Sequence, residues 1–399
     1  MQDAELRSLA GGATQRGLRD HNARLLLSLM QRHGPLPGSD LARVSGLSPQ
    51  TVSVILRQLE EAGMVRRGSP QRGRVGKPRT PIGLDPDGAF SIGLKIGRRS
   101  ADLVIVDLHG EMRGQLHDTY SYPEPGHVMR FLEAGILDLA ARLPATQRDR
   151  IAGIGIARPN GLWVWPDTVG VPPGALDVWS GFDFAAEIAR FSNLPVHVEN
   201  DATAACRAEH VFGRGREFRD YAYFFVGSFI GGGIVLNHSV FAGTQGNAGA
   251  MGPLPTRDAA GRPAQLLDTA SLHLLERQLV AAGHDPSRLW SLPQDWTGFD
   301  EVLEPWLDSV GEELARAAAT VCAVIDFEAV LIDGGFPEQV RASLVERIRA
   351  GLDRVDLRGL IPPRIEAGAV GGNARGLGAA CAPIFAQFLL DTHAGLAGG

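Results

Sequence analysis

Residues 39–63 read S-D-L-A-R-V-S-G-L-S-P-Q-T-V-S-V-I-L-R-Q-L-E-E-A-G and predict a helix, a tight turn and a second helix. Ser39 is expected to cap the short first helix, and Gly46 to form the turn. The second helix is expected to start at Ser48 and Pro49, because a hydroxyl accepts hydrogen bonds from free amides and proline suits the first helical position. This order of elements is typical of a DNA-binding helix-turn-helix.

The second helix separates an apolar stripe from a polar face. The apolar residues recur at the spacing of a buried helical face: Val52, Ile55, Leu56 and Leu59. The opposite face carries the side chains that we expect to contact DNA: Gln50, Thr51, Ser53 and Arg57. Glu60 and Glu61 stand in the last turn, so the N-terminal half carries no carboxylate that would repel phosphate. The alternative is a small helical bundle with a solvated polar face.

A basic loop follows this helix. We expect a support helix that Asn22 caps and that ends near His33, and a two-stranded wing formed by residues 64–67 and 80–84. Cations near the tip of the wing are expected to neutralise phosphates or to enter a narrow minor groove: Arg72, Arg74, Lys77 and Arg79. The other interpretation is a loop that is only solvated.

Charge is distributed unevenly along the 399 residues. The net charge is −6, but residues 1–83 contain 13 Lys and Arg against 6 Asp and Glu, a balance of +7 that leaves −13 for the remainder. The basic end is therefore the end expected to bind nucleic acid. The three scattered cysteines support neither a disulfide framework nor a cysteine zinc site. No segment approaches the roughly 20 apolar residues of a membrane span, and we expect a cytoplasmic protein.

A D-P-D-G turn at residues 85–88 marks the expected end of the DNA-binding domain. Beyond it, two apolar segments joined by a short turn at residues 97–100 predict a strand hairpin, and a similar hairpin with its turn at residues 227–232 follows about 130 residues later. We interpret this repeat as an internal duplication. The expected units are an N-terminal arm at residues 1–19, a winged helix-turn-helix at residues 20–84, and a two-lobed α/β domain at residues 85–399.

Four motifs in this order resemble the ROK family, which contains repressors and sugar kinases. They are the wing followed by G-K-P, L-P-V-H-V-E-N-D-A-T-A-A-C at residues 194–206, V-G-S-F-I-G-G-G-I at residues 226–234, and I-D-G-G at residues 332–335. The resemblance covers about Asn22 to Leu390. It implies a duplicated actin-like fold of the sugar kinase and Hsp70 type, preceded by a winged helix in regulator members.

Two departures from the kinase pattern argue against phosphoryl transfer. Kinase members resemble D-x-G-G-T at the first hairpin, where this chain has Lys95-Ile96-Gly97-Arg98-Arg99-Ser100. An ammonium group cannot ligate magnesium, and two arginines fill space that phosphoryl oxygens would need. In the second hairpin Phe229 replaces a glycine that would approach the nucleotide, although a shifted neighbouring loop could accommodate its ring.

The sugar-binding pattern is only half preserved. Asn200 and Asp201 match the family pair that holds sugar hydroxyls, and an amide beside a carboxylate is suited to that task. The other interpretation is that they cap the helix that follows. Ala250 and Pro253 replace the sugar-binding glutamate and the zinc-ligating histidine of the family, and the cysteine motif of its zinc site is missing, so we expect neither metal nor cofactor.

These observations predict a transcriptional regulator, with repression favoured, that binds double-stranded operator DNA as a homodimer or homotetramer and responds to a sugar or sugar derivative. Symmetry is expected because one winged helix reads few base pairs. Lys95, Arg98 and Arg99 indicate either attraction for an anionic ligand or solvated turn residues. The alternatives in function are a sugar kinase with an added DNA-binding domain and a DNA-binding scaffold that no longer responds to a ligand.

Overall fold

A computed structural model describes residues 15–70, 79–161 and 171–390, with side chains from residue 20 onward. The helices are α1 Gln15–His33, α2 Gly38–Ser45, α3 Pro49–Glu61, α4 Pro125–Arg142, α5 Phe184–Ile188, α6 Asp201–Phe212, α7 Leu272–Ala281, α8 Asp300–Val324, α9 Glu338–Leu352 and α10 Ala374–Phe388. The strands are β1 Leu36–Pro37, β2 Val65–Arg67, β3 Pro81–Leu84, β4 Phe90–Ile96, β5 Ser100–Asp107, β6 Met112–Thr119, β7 Ile151–Arg158, β8 Val196–Asn200, β9 Tyr221–Val226, β10 Ile230–Leu236, β11 Ser239–Phe241, β12 Pro255–Arg257, β13 Pro263–Gln265, β14 Ala329–Gly334 and β15 Arg364–Ala367. No helix within these ranges is long and apolar enough to cross a membrane.

The N-terminal unit is a winged helix-turn-helix, as predicted. The Ser48 hydroxyl accepts a hydrogen bond of 3.1 Å from the Thr51 amide, and Pro49 opens α3. Gly46 has a φ of 71°, which places it in the left-handed region that ends α2. The apolar stripe of α3 is buried together with residues of α1, α2 and the wing. The wing strands β2 and β3 pair antiparallel, and β1 pairs with the other edge of β3.

Two expected helix caps are wrong. Helix α2 begins at Gly38, one residue before Ser39, and its N-cap is Pro37 without a side-chain hydrogen bond. The pairing of Pro37 with Pro81 fixes the chain immediately before α2, so tertiary structure sets this start. Asn22 lies inside α1, which begins at Gln15. No proline interrupts residues 15–22, so the helix continues through the asparagine. The expected boundary between residues 19 and 20 therefore falls inside α1.

The two lobes share one strand plan, which confirms the actin-like duplicated fold. The first lobe has the sheet order β6-β5-β4-β7-β8, and the second has β11-β10-β9-β14-β15. In each sheet the first three strands in chain order are antiparallel, and the next two join in parallel. The two hairpins predicted from the sequence are thus equivalent parts of the two lobes.

The turn of the second hairpin is shorter than predicted. It comprises residues 227–229, while the glycines at 231–233 belong to β10. A Cβ on Gly232 would lie 2.3 Å from the carbonyl oxygen of Tyr223, and one on Gly233 would lie 2.4 Å from the Cβ of Cys206. These glycines therefore allow close packing of β10 against β9 and α6, which a loop-forming composition does not reveal.

Helix α10 returns to the first lobe and reaches the DNA-binding unit. A Cβ on Gly155 would lie 1.7 Å from the Ala379 carbonyl oxygen, so only glycine allows α10 to pack this closely on β7. At the other end of α10, the Arg24 guanidinium of α1 donates to the Phe385 carbonyl at 3.1 Å and to the Leu389 carbonyl at 3.0 Å. One helix thus connects the sheet of the first lobe to the support helix of the DNA-binding unit.

Candidate functional site

The outer face of α3 presents polar side chains in the region where we expect DNA contact. Gln50, Ser53 and Arg57 are exposed, whereas Thr51 is half-buried and its Oγ1 lies 2.9 Å from Ser48 Oγ. Thr51 therefore takes part in the cap of the helix, and the other three side chains project freely from it.

Val54 also belongs to this face, although the sequence pattern did not predict it as a DNA contact. Its side chain is 53% exposed, although the neighbouring apolar residues of α3 are buried. Together with Gln50, Ser53 and Arg57 it forms a row at the i, i+3, i+4, i+7 spacing of one helical face. The sequence did contain a signal for the exposure of Val54, because its position is out of phase with the buried stripe of α3.

The base of the wing neutralises the acidic end of α3. Arg67 Nε of β2 lies 2.8 Å from Glu60 Oε1, so this carboxylate does not face DNA as a free charge. Arg79 is exposed and lies 3.8 Å from Asp40 Oδ2, an ion pair that is weak at this distance and exposure. Arg72, Arg74 and Lys77 lie outside the described residues.

A cleft between the two lobes contains the retained Asn200 and Asp201. Its walls come from the carboxyl ends of β7 and β8 in the first lobe, and from the second hairpin and residues 247–253 in the second lobe. The cavity has a volume of about 160 Å³. This is smaller than the roughly 300–1,000 Å³ of sites for drug-sized ligands, and it suits a molecule of monosaccharide size. Ala250 and Pro253 line it at the positions where the resemblance implies a glutamate and a histidine.

Asn200 caps the helix, as the alternative interpretation stated. Its Oδ1 accepts hydrogen bonds from the amides of Ala202 at 3.0 Å and Thr203 at 3.2 Å. The cap occupies only the oxygen, and the side-chain NH₂ group still supplies two donors. Capping and ligand binding are therefore compatible at this residue.

Asp201 lies between two arginines of the cleft. Its Oδ2 is 3.4 Å from Arg375 Nη1 in α10, and both side chains are largely buried. Arg98, from the first hairpin turn, also lines the cavity. Burial lowers the pKa of Arg98 to about 10, and the Asp201 carboxylate opposes this shift. Two cations against one carboxylate leave this part of the cleft positive, which favours an anionic ligand. Arg375 had no recognisable signal in the sequence, because it is 174 residues from Asp201.

The rim of the cleft carries one further contact that the sequence did not indicate. Asn160 follows β7 in the first lobe, and its Nδ2 donates a hydrogen bond of 3.1 Å to Asn247 Oδ1 in the second lobe. Both residues line the cavity. The two asparagines thus join the lobes at the entrance to the cleft.

Phe229 packs between a cation and a histidine. The Arg98 guanidinium carbon lies 4.3 Å from the centre of the Phe229 ring, and the His273 ring meets the same phenyl group edge-on at 5.0 Å. Burial lowers the pKa of His273, whose Nδ1 is 3.2 Å from the Ser228 carbonyl oxygen. Phe229 therefore connects the two hairpin turns across the cleft.

Lys95 is not a solvated turn residue but part of a buried network. Its ammonium group donates to Ser100 Oγ at 2.6 Å and lies 3.1 Å from Asp102 Oδ2. Burial lowers the pKa of Lys95 to about 8. The second oxygen of Asp102 is 2.6 Å from His117 Nδ1, and His117 Nε2 donates to the Trp290 carbonyl of the second lobe at 3.0 Å. The network thus links the lobes behind the cleft.

The charges of this network are coupled. Although burial alone would raise the pKa of Asp102, Lys95 and His117 together hold it below its usual range. The bond to Asp102 raises the pKa of His117. Arg99 is similarly engaged, because its Nε lies 3.1 Å from Glu276 in α7. Of the three cations expected beside a ligand, only Arg98 lines the cleft.

The region that carries the zinc site in the resemblance is here the hairpin β12–β13. Across the part of the chain that the structure describes, no group of three His, Cys, Asp or Glu side chains is arranged to hold a metal ion.

Asp333 of the I-D-G-G motif is fully buried and accepts hydrogen bonds from Arg341, Tyr223 and the Gly371 amide. This motif therefore stabilises the turn before α10.

Comparisons with known proteins agree with this architecture. Residues 91–382 match the model of the ROK family, and residues 19–66 match a winged helix-turn-helix DNA-binding model. The DNA-binding transcriptional dual regulator NagC of Escherichia coli K12 is 25% identical over 352 residues, which is 82% of this chain and 84% of NagC.

Two solved structures show the same fold. A ROK family transcriptional regulator described as a homolog of the E. coli MLC protein covers 92% of this chain and 96% of its own, with 21% identity and a TM-score of 0.65. A ROK family glucokinase from Streptomyces griseus in complex with glucose and AMPPNP covers 73% and 98%, with 19% identity and a TM-score of 0.56.

Proposed function

The chain belongs to the ROK family, and from this premise we propose that it is a repressor whose binding to operator DNA is controlled by a sugar-type ligand in the cleft between the lobes. It is a DNA-binding transcriptional regulator, since a winged helix-turn-helix precedes the ROK domain and similar full-length proteins are regulators. Three points go beyond this and are our proposal: that the protein represses transcription, that it binds the ligand, and that it forms a two-fold symmetric dimer or tetramer.

The exposed row on α3 carries the proposal for DNA recognition. Four side chains project from one face of a helix whose opposite face is buried, and no carboxylate lies among them: Gln50, Ser53, Val54 and Arg57. A helix with donors, acceptors and a methyl-bearing side chain on one face suits the major groove. Arg79 and the loop residues Arg72, Arg74 and Lys77 supply phosphate contacts in this proposal.

The cleft supports the proposal for the ligand. Asn200 retains amide donors, Asp201 offers a carboxylate to hydroxyl groups, and Arg98 and Arg375 add positive charge. We propose a sugar acid or sugar phosphate in preference to a neutral hexose. Closure of the lobes on such a ligand would move α10, which contacts Asp201 at one end and α1 at the other, and so change the placement of α3.

We infer that the chain does not transfer phosphate. The ammonium group of Lys95 is committed to Asp102 and Ser100, and Phe229 and Arg98 occupy the space between the two turns. Neither arrangement provides an oxygen ligand for magnesium or an open backbone for phosphate. ADP release from ATP should not increase with any hexose above the level of Asp201→Ala. A hexose-dependent rate above that level would contradict the inference.

Selection of bound sequences from a random DNA pool tests the proposal as a whole. We expect a palindromic site, bound by a symmetric oligomer, whose affinity changes when a panel of neutral and anionic sugars is titrated in a gel-shift assay. Asp201→Asn should abolish the response to the active sugar. An equal response in this variant would place the ligand outside the cleft.

Arg57→Ala separates base contacts from phosphate contacts. If Arg57 contacts a base, its removal should weaken specific binding by about 1–3 kcal/mol and relax the preference at one base pair. Replacement of Arg74 and Lys77 should instead weaken binding to all sequences and flatten the salt dependence. Arg190→Gln, which removes a surface ion pair between Glu187 of α5 and Arg190 just after that helix, is the control and should change neither quantity.

Val54 is proposed to contact a thymine methyl group. Replacement of single thymines by uracil in the selected site removes only that methyl group. At one position the substitution should weaken binding by wild type but not by Val54→Ala. If all thymine positions respond equally in both proteins, Val54 does not contact a thymine methyl group.

A further inference from the structure

A second cavity lies between the lobes, where the buried network of Lys95 and Asp102 in the first lobe faces Trp290 of the second. We call it the rear cavity. Its volume is about 150 Å³, close to that of the cleft. Among the described residues, Arg375 at the start of α10 alone lines both the cleft and the rear cavity. The two cavities therefore meet at the Arg375 side chain.

Arg375 is held weakly for a buried arginine. Its contact with Asp201 measures 3.4 Å, although the side chain is only 12% exposed. A strong charge-assisted hydrogen bond measures roughly 2.7–2.9 Å. Arg341, with a similar exposure of 10%, meets Asp333 at 2.8 Å. The Nε atom of Arg375 is buried and has no hydrogen-bond partner among the described residues. Arg375 therefore keeps donors that are costly to leave unpaired and that an anion can use.

Other side chains add donors to the rear cavity. Trp290 Nε1 is buried and, within the described part of the chain, has no hydrogen-bond partner. Asn373 Oδ1 accepts a hydrogen bond of 3.0 Å from Gln115 Nε2, which leaves the two donors of the Asn373 NH₂ group. Both residues line the rear cavity together with Arg375. Their N–H groups suit a ligand that is rich in acceptor oxygens.

The charge of the rear cavity favours an anion. Asp102 is the only acidic residue among the described residues that line it, and its two oxygens already contact Lys95 and His117. Burial is the main cause that lowers the pKa of Lys95 to about 8, and the nearby charge of Arg375 acts in the same direction. An anion placed between these two cations reduces their repulsion.

The meeting of two cavities at one arginine distinguishes between anionic sugars. A carboxylate has two oxygens and is joined directly to the carbon chain, so it reaches Arg375 from the cleft but fills little of the rear cavity. A phosphate ester extends further from the sugar and carries three acceptor oxygens. Arginine is well matched to these oxygens, because its planar guanidinium group can bind two of them at once.

On the basis of the sugar-type ligand proposed for the cleft, we propose that Arg375 selects a sugar phosphate. The sugar occupies the cleft beside Asp201, and its phosphate group enters the rear cavity. There the phosphate accepts hydrogen bonds from Arg375, Trp290 Nε1 and the Asn373 amide. Arg375 exchanges its long contact with Asp201 for the phosphate, and the Asp201 carboxylate becomes free to accept a hydrogen bond from a sugar hydroxyl.

Calorimetry of the full-length protein with inorganic phosphate tests the rear cavity without a sugar, in buffer otherwise free of phosphate and sulfate. Wild type should bind phosphate, and Arg375→Gln should weaken this binding by about tenfold or more. Trp290→Phe removes the indole N–H but keeps an aromatic ring, and should weaken it by about threefold. Asp201→Asn removes the carboxylate that competes for Arg375, and should bind phosphate more tightly than wild type. The surface control Arg190→Gln should bind phosphate as wild type does.

Three results of this titration would overturn the proposal. The first is absence of phosphate binding to wild type. The second is binding by Arg375→Gln and Trp290→Phe that equals wild type. The third is weaker phosphate binding by Asp201→Asn, since the phosphate would then depend on the cleft carboxylate and not compete with it.

A panel of hexose phosphates, their parent hexoses and the corresponding hexuronic acids tests the selection of the ligand. The phosphate ester of the hexose that binds should bind wild type more tightly than the parent sugar and the acid do. This advantage should fall by about tenfold in Arg375→Gln, while the affinity for the parent hexose changes little. An undiminished advantage in Arg375→Gln, or a preference of wild type for the acid, would overturn the proposal. If inorganic phosphate binds as expected but no member of the panel binds wild type, the sugar-type ligand of the proposed function fails and the phosphate site at Arg375 stands.

Discussion

The two lobes present equivalent hairpin turns to each other, and these turns differ in chemistry. Residues 97–99 join β4 to β5 and carry two arginines, whereas residues 227–229 join β9 to β10 and carry Phe229. Arg98 stacks on the Phe229 ring, and Arg99 pairs with Glu276 of the second lobe. Duplication thus preserved the backbone plan while the side chains of the two turns became complementary.

The difference between the two turns shows how a hairpin backbone that is suited to binding phosphate can serve another function. The kinase pattern that the chain resembles keeps small residues in the turns, which leaves room for phosphate between the lobes. Here the side chains of one turn contact the other lobe, and a buried network extends from Lys95 through Asp102 and His117 to Trp290. The turns therefore link the lobes, and Arg98 and Phe229 of these turns also line the cleft that we propose for the ligand.

The largest expected effect comes from breaking the buried network under the first turn. Asp102→Ala leaves the Lys95 charge and His117 without their carboxylate, and should lower the free energy of unfolding by about 3–5 kcal/mol. Urea unfolding measures this loss. Asp138→Ala, which removes an exposed pair with Arg142, is the control and should cost less than about 1 kcal/mol. Equal losses would show that the network adds nothing beyond a surface pair.

The second turn should contribute less, because Phe229 is only half-buried. Phe229→Ala removes contacts with Arg98 and His273 and should lower the free energy of unfolding by about 1–3 kcal/mol. Phe241→Ala, at a site that is 49% exposed, is the matched control and should be nearly neutral. A neutral Phe229→Ala would indicate that the second turn does not link the lobes.

A double-mutant cycle measures the contact between the turns directly. The coupling free energy of Arg98→Ala with Phe229→Ala should be about 0.5–2 kcal/mol, the range of a partly desolvated cation–π contact. The same cycle between Arg98 and Phe241 should give no coupling. If the Arg98 and Phe229 losses are simply additive, the turns act independently.

The smallest effect is a pH dependence of the first turn. Because the folded-state pKa of His117 is raised, its contribution to stability is complete below the unfolded value of about 6.5 and is lost as pH rises through the folded value. The difference in melting temperature between wild type and His117→Gln should therefore be larger at pH 6 than at pH 8. A difference that grows with pH would mean that His117 is not protonated in the network.

Local sequence signals correctly predicted those structural elements whose boundaries depend on a few adjacent residues. Ser48, Pro49 and Gly46 gave the start of α3 and the turn before it, because capping and left-handed backbone depend on adjacent residues. The local signals failed at Ser39, because strand pairing sets the start of α2, and at Asn22, because it lies inside an uninterrupted helix. The sequence predicts Gly231 and Gly232 in a turn although they lie in β10, because their role in close packing depends on residues distant in sequence.

The sequence by itself determined the two-part organisation, the duplicated fold and the polar face of α3, since periodicity, caps and motif order are properties of short segments. Only the tertiary structure decided which charges face a ligand. It placed Arg375 beside Asp201 and turned Lys95 and Arg99 toward carboxylates. The physical reason is that the partner of a charge is fixed by distance in space, and these partners include pairs separated by well over a hundred residues in the chain.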